Sequence, residues 1–120
     1  EIGRAVPYCK ISALSLEEAG GGYDLIVNST PVGMYPHTGA SPLLKKQLKG
    51  SRALFDAIYN PAQTRLMSDA AECGLAVAGG MTMLVWQAAA AHEIWYGAQF
   101  KTKDIERLIR EMEDYILTHF

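Results

Sequence analysis

The stretch Asp24 to Thr30 contains an apolar run, Leu25-Ile26-Val27, with no alternation. A run of that kind predicts a strand covered on both faces, as in a parallel sheet. Residues 52–59 (Arg-Ala-Leu-Phe-Asp-Ala-Ile-Tyr) predict a second buried strand, and Leu75-Ala76-Val77-Ala78 a third, shorter one. Between the strands the apolar positions recur at helical spacing. Leu43, Leu44 and Leu48 form one short stripe, and Leu66, Met67, Ala70 and Ala71 another. Residues 82–96 are apolar on more than one side: Leu84, Ala88, Ala91 and Trp95 on one, Trp86, Ala90 and Ile94 on a second. A helix of that composition is expected to be covered by protein most of the way round, with both tryptophans packed. Residues 103–118 alternate differently. Ile105, Leu108, Ile109, Met112 and Ile116 make one inward stripe, and Glu106–Arg110 and Arg110–Asp114 are candidate ion pairs on the wet side.

Turn and cap residues punctuate these stripes. Ser15-Leu16-Glu17-Glu18 has the capping-box pattern, and Gly20-Gly21-Gly22 stops the turn it starts. Residues 31–42 are rich in Pro, Gly, Ser and Thr and predict a loop. Ser41-Pro42 and Asn60-Pro61-Ala62-Gln63 both read as helix starts, a capping side chain followed by proline in the first turn. Gly50, Gly74 and Gly97 read as helix stops, and Gly79-Gly80 as a tight turn. The order is strand, helix, strand, helix, strand, helix, helix. With connections this short, it predicts right-handed crossovers and an α/β fold with a parallel sheet.

Composition narrows the function. The 120 residues carry 11 basic and 13 acidic side chains, a formal net charge of −2. Without a basic block, charge does not drive nucleic-acid binding. At this length one small domain is expected. No apolar stretch is long enough for a membrane span. Cys9 and Cys73 stand alone and read as buried, reduced, cytoplasmic thiols. His37, His92 and His119 lack metal-ligand spacing, so no metal is expected. The start, Glu1-Ile2-Gly3-Arg4, has no Met and no leader pattern, which reads as a piece of a longer protein.

In an open parallel sheet, ligands bind beyond the carboxyl ends of the strands. Asn28 to Met34, Asp56 to Pro61 and Gly79 to Gln87 lie there and are expected to converge. Asp24-Leu25-Ile26-Val27-Asn28-Ser29-Thr30-Pro31-Val32-Gly33-Met34 resembles a strand and loop of the shikimate dehydrogenase family. Asp56-Ala57-Ile58-Tyr59-Asn60-Pro61 with Thr64 resembles the next strand and turn. Residues 79–88, with Trp95-Tyr96-Gly97 after them, resemble the closing segment and C-terminal helix. Three blocks in order make the resemblance specific over residues 10–118.

The resemblance implies a partial Rossmann-like parallel sheet, later strands only, with flanking helices and a C-terminal helical pair. It implies that residues 1–120 are the C-terminal portion of a nucleotide-binding domain, the N-terminal substrate domain and glycine-rich turn being absent. The implied reaction is the NADP-linked interconversion of 3-dehydroshikimate and shikimate, in aromatic amino acid biosynthesis. By the same resemblance, Thr30, Ala57, Gly80 and Met83 border the cofactor, and Tyr59 and Gln87 bind substrate. These roles suit the residue types. Glycine lets a backbone approach a flat ring, methionine offers it a polarizable surface, and a glutamine amide both donates and accepts. Thr82 stands where the family often has glycine.

No G-x-G-x-x-G turn occurs in these 120 residues, and no lysine sits in a context resembling the family's catalytic motif, so no catalytic residue is assigned. The expectation is a catalytically inert piece of an NADP-dependent oxidoreductase. Its rivals are a non-catalytic Rossmann-like binding module and a quinate/shikimate dehydrogenase relative. In such sheets the first two strands would lie between residues 8–13 and residues 24–30. Without them a sheet edge is exposed, which predicts self-association.

Overall fold

A computed structural model describes residues 8–119. The stretch Glu1–Arg4, on which the expectation of a longer parent rested, lies outside the described residues. Three strands form one parallel sheet: β1 (Leu25–Asn28), β2 (Ala53–Asp56) and β3 (Ala76–Ala78), in the order β1-β2-β3. Four α-helices accompany them among the described residues: α1 (Lys45–Leu48), α2 (Arg65–Glu72), α3 (Gly80–Tyr96) and α4 (Thr102–His119). The predicted alternation and the parallel sheet are both present. A 3-10 turn, Leu16–Glu18, precedes β1, and the Glu18 carboxylate reaches back to the Ser15 amide at 3.0 Å.

Register decides which side chains meet. Ile26 pairs with Leu54 and Asn28 with Asp56, while Leu54 pairs with Val77. In a strand, successive side chains point to opposite faces. Ile26, Leu54 and Val77 therefore share one face, where they pack with Leu48, Leu66, Ala70 and Leu75 of and beside α1 and α2. The second core cluster joins Met81, Val85 and Ala89 of α3 to Ile105, Ile109 and Ile116 of α4, and no strand residue belongs to it. On the other sheet face Leu25 and Val27 are 57% and 56% exposed. The expectation that this strand is buried on both faces fails for that reason: α1 and α2 cover one face only.

The prediction of a mostly covered long helix also fails. α3 spends one stripe on α4, and Ile94 and Trp95 lie 81% and 71% exposed, with Trp86 also exposed. On α4 the inward stripe narrows to Ile105, Ile109 and Ile116, while Leu108 and Met112 are exposed. The ion pair seen on that helix is Arg107–Glu111, at 3.6 Å, and not either predicted pair. Cys9 is exposed rather than buried, and Cys73 is half-buried; both are free thiols.

Both predicted proline-led helix starts move downstream. α1 begins at Lys45, and Ser41 instead donates its hydroxyl to the Leu43 carbonyl at 2.8 Å. The Gln47 side chain accepts from the Leu44 amide at 2.9 Å and donates to the Ala19 carbonyl at 3.1 Å, so a contact with the preceding segment sets that start. α2 begins at Arg65, capped by Thr64, whose hydroxyl oxygen accepts from the Met67 amide at 3.2 Å. The predicted stops hold: Gly50, Gly74 and Gly97 all take positive φ.

Candidate functional site

The three expected segments do meet at the carboxyl end of the sheet. Each junction is a hydrogen bond. The Ala57 amide donates to the Asn28 carbonyl at 2.9 Å, which ties the end of β2 to the end of β1. The Gly80 amide donates to the Ile58 carbonyl at 3.0 Å, which ties the start of α3 to the end of β2. The Tyr35 amide donates to the Asn60 carbonyl at 3.0 Å, which closes the loop after β1 onto the loop after β2. Gly33 sits in that first loop with φ +100°, and a Cβ there would lie 2.9 Å from the Ala40 carbonyl oxygen.

Beneath the rim lies a polar cluster that the sequence reading assigned no role. Asp56 is fully buried, and Asn28 and Thr64 are buried beside it. Asp56 Oδ1 accepts from Asn28 Nδ2 at 3.0 Å and from the Ile58 amide at 3.1 Å. Its Oδ2 accepts from the Thr64 hydroxyl at 2.7 Å. Asn28 Oδ1 in turn accepts from the Thr30 amide at 3.0 Å and the Thr30 hydroxyl at 2.7 Å. No cation partner of Asp56 occurs among the described residues; its three donors replace the water lost on burial. One signal for the cluster was present in the sequence: a carboxylate and an amide at matching ends of two apolar strands.

The predicted site residues divide into two groups. Thr30 is half-buried, with its hydroxyl engaged by Asn28. Ala57 is half-buried, and Gly80 is buried against it. A Cβ on Gly80 would lie 2.2 Å from the Ala57 carbonyl oxygen and 2.8 Å from that of Ile58. The room that glycine provides is thus filled by the protein's own backbone, a reason different from the one read from sequence. Tyr59, Met83 and Gln87 are exposed, the first two 46% and 45%. Met83 and Gln87 stand four apart on α3 and so share one face of it. Asn60 does not cap a helix. Its Oδ1 is a buried acceptor with no hydrogen-bond partner among the described residues.

A separate cavity lies elsewhere. It is an apolar groove of about 630 Å³ between α3 and α4, lined by Leu84, Val85, Phe100 and Leu108 among others. It contains none of the predicted site residues.

No family model matches the chain. Individual relatives do. A shikimate dehydrogenase (NADP(+)) of Bacillus cereus is 41% identical over 99 residues, covering 80% of this chain and 35% of that protein. One of Shouchella clausii is 36% identical over 113 residues, covering 92% of this chain and 41% of the relative. This chain is homologous to the C-terminal part of the shikimate dehydrogenases. Solved structures agree. The shikimate 5-dehydrogenase of Thermus thermophilus, in complex with NADP(H) and shikimate, superposes with TM-score 0.71 at 34% identity, over 82% of this chain and 37% of that one. A chorismate mutase/shikimate 5-dehydrogenase fusion protein from Clostridium acetobutylicum gives TM-score 0.73 at 35% identity, over 84% and 36%. The chain spans 35% and 41% of the length of the Bacillus cereus and Shouchella clausii relatives.

Proposed function

We propose that this chain supplies the later half of an NADP-binding domain, and the adjoining wall of the substrate site, to a shikimate dehydrogenase that reduces 3-dehydroshikimate to shikimate. The observation that carries the reading is the single rim made by three distant segments, with Thr30, Ala57 and Tyr59 on tied loops. Relatives named for that reaction match across the same segments.

The residues suit the cofactor's chemistry. Met83 presents an exposed thioether to a flat ring. When bound, the reduced nicotinamide supplies the hydride. The chain's own residues bind and orient: Tyr59 and Gln87 offer a hydroxyl and an amide to a hydroxylated carboxylate. No residue here is assigned as proton donor to the developing alkoxide, and no glycine-rich pyrophosphate turn occurs in the 120 residues. The 120-residue chain alone is therefore inert, and its partners are NADP and shikimate in a cytoplasmic enzyme. Self-association through the β1 edge belongs to the same reading, since β1 pairs only with β2 among the described strands.

The test joins this chain to the N-terminal part of the Bacillus cereus relative and follows shikimate-dependent NADP reduction. Activity is expected, with Gln87→Ala and Tyr59→Phe each raising KM for shikimate about tenfold, the worth of a hydrogen bond or two. An active hybrid whose KM ignores both substitutions refutes the substrate roles. An inactive, folded hybrid refutes the proposal itself.

A further inference from the structure

We propose that Asn28 and Asp56 are positioning residues, whose shared hydrogen bond across the ends of β1 and β2 holds the Thr30 loop and the Ile58–Tyr59 segment in one fixed relation before any ligand arrives. The inference rests on the reading of Thr30 and Tyr59 as ligand contacts.

The geometry is directional. Asp56 Oδ1 accepts twice, from Asn28 Nδ2 at 3.0 Å and from the Ile58 amide at 3.1 Å. Asn28 Oδ1 also accepts twice, from the Thr30 amide at 3.0 Å and hydroxyl at 2.7 Å. A chain of donors thus runs one way: Thr30 to Asn28, Asn28 to Asp56. Asp56 then closes onto Ile58, immediately before Tyr59, and its Oδ2 takes the Thr64 hydroxyl at 2.7 Å. Backbone pairing alone does not achieve this. The β1–β2 ladder ends at Asn28 and Asp56; beyond it the described backbone bonds between the two segments are Ala57 amide to Asn28 carbonyl and, further along the loops, Tyr35 amide to Asn60 carbonyl, and neither is made by Thr30, Ile58 or Tyr59. Both side chains are buried, so water does not compete for the bonds. The arrangement needs an amide at 28, which must donate and accept, and an acceptor at the Asp56 oxygen facing it.

That polarity makes the test sharp. Asp56→Asn can keep its oxygen toward Asn28 and Ile58 and turn its NH2 toward the Thr64 hydroxyl oxygen, so the bonds to Asn28 and Ile58 survive and the one to Thr64 reverses direction. Asn28→Asp sets two carboxyl groups against each other and, read at a pH high enough that they do not share a proton, breaks the bridge. In the double variant, the carboxylate introduced at position 28 again accepts from Thr30 and from the amide nitrogen introduced at position 56, but that nitrogen cannot accept from Ile58. Amide hydrogen exchange of the 120-residue chain, read by NMR, distinguishes these states. Asp56→Asn is expected to leave Thr30 and Ile58 protection within about threefold of the parent. Asn28→Asp is expected to speed exchange at both amides by about tenfold or more. The double variant is expected to restore Thr30 and leave Ile58 fast. Ile109, in the separate α3–α4 core, reports that each variant is folded; Asn28→Ser, which keeps a donor and an acceptor in less volume, replaces Asn28→Asp if that variant does not fold. Equal acceleration at Thr30 and Ile58 in every variant, Asp56→Asn included, or at neither, overturns the proposal. A parallel NADPH fluorescence titration of the Bacillus hybrid separates the two readings. Kd unchanged in Asn28→Asp despite lost Thr30 protection refutes the positioning role, whereas no NADPH binding by the unsubstituted hybrid refutes the functional reading and leaves the exchange pattern to decide the network.

Discussion

Gly80 shows at the scale of one residue how a motif position can be right and its reason wrong. Glycine is needed there because the start of α3 lies on the carbonyls of Ala57 and Ile58, with no space for a methyl group. Gly80→Ala is expected to destabilise the chain by about 2 kcal/mol, overpacking outweighing the better helix propensity of alanine, as urea unfolding would record. An unchanged midpoint would mean the approach is looser than 2.2 Å implies. Glu18 carries the opposite kind of effect. The Ser15 amide and hydroxyl donate to its carboxylate and hold its pKa below the ordinary carboxylate range. A depressed folded pKa stabilises above the unfolded value, and the contribution is lost as pH falls through the folded one. Ser15→Ala is therefore expected to raise the Glu18 midpoint in a carbon-detected NMR titration, though not fully, because the amide still donates.

Elements in this protein begin where tertiary contacts put them. Asn60-Pro61 has the stronger local pattern for starting α2, yet the helix starts at Arg65, further along the chain. Thr64 both accepts from the Met67 amide and donates to Asp56, so the sheet selects the cap. Thr64→Val removes both bonds while keeping the volume. It is expected to cost about 3 kcal/mol, roughly one for the cap and more for an acceptor of Asp56 left unpaired. Thr64→Ser is expected to recover most of that, by denaturant titration. An equal loss in both variants would place the effect in packing of the methyl group instead. α1 follows the same logic through Gln47, which faces the segment at Ala19. Helix ends marked by glycine were legible in advance, since Gly50, Gly74 and Gly97 answer to a purely local need for positive φ.

At the scale of the molecule, the described residues bury two separate cores, one on the α1–α2 side of the sheet and one between α3 and α4. Leu25 and Val27 on the sheet, and Trp86, Ile94 and Trp95 on α3, remain outside both. Apolar runs in the sequence reported that these positions are suited to burial; they carried no information on what covers them. With β1 at an edge of the sheet, the chain is expected to self-associate at tens of micromolar, and Val27→Lys, which puts a charge on the open face, is expected to shift light scattering toward monomer. A monodisperse parent chain at that concentration contradicts the edge as an association site. Catalysis belongs to this scale as well: with no residue assigned as proton donor and no glycine-rich pyrophosphate turn in the 120 residues, the isolated chain is expected to show no shikimate-dependent NADP reduction.

Periodicity and glycine placement were enough to read the order of elements, because each element's existence rests on contacts within a few residues of chain; the parallel sheet and the three segments at its carboxyl rim then follow from that order by the general rule for short, right-handed crossovers. The Asn28–Asp56–Thr64 cluster, the true starts of α1 and α2, and the open faces of β1 and α3 were decided by residues about ten to thirty positions apart. A hydrogen bond across strands depends on register, and burial depends on which element arrives on a face; neither quantity is a property of a local stretch of sequence.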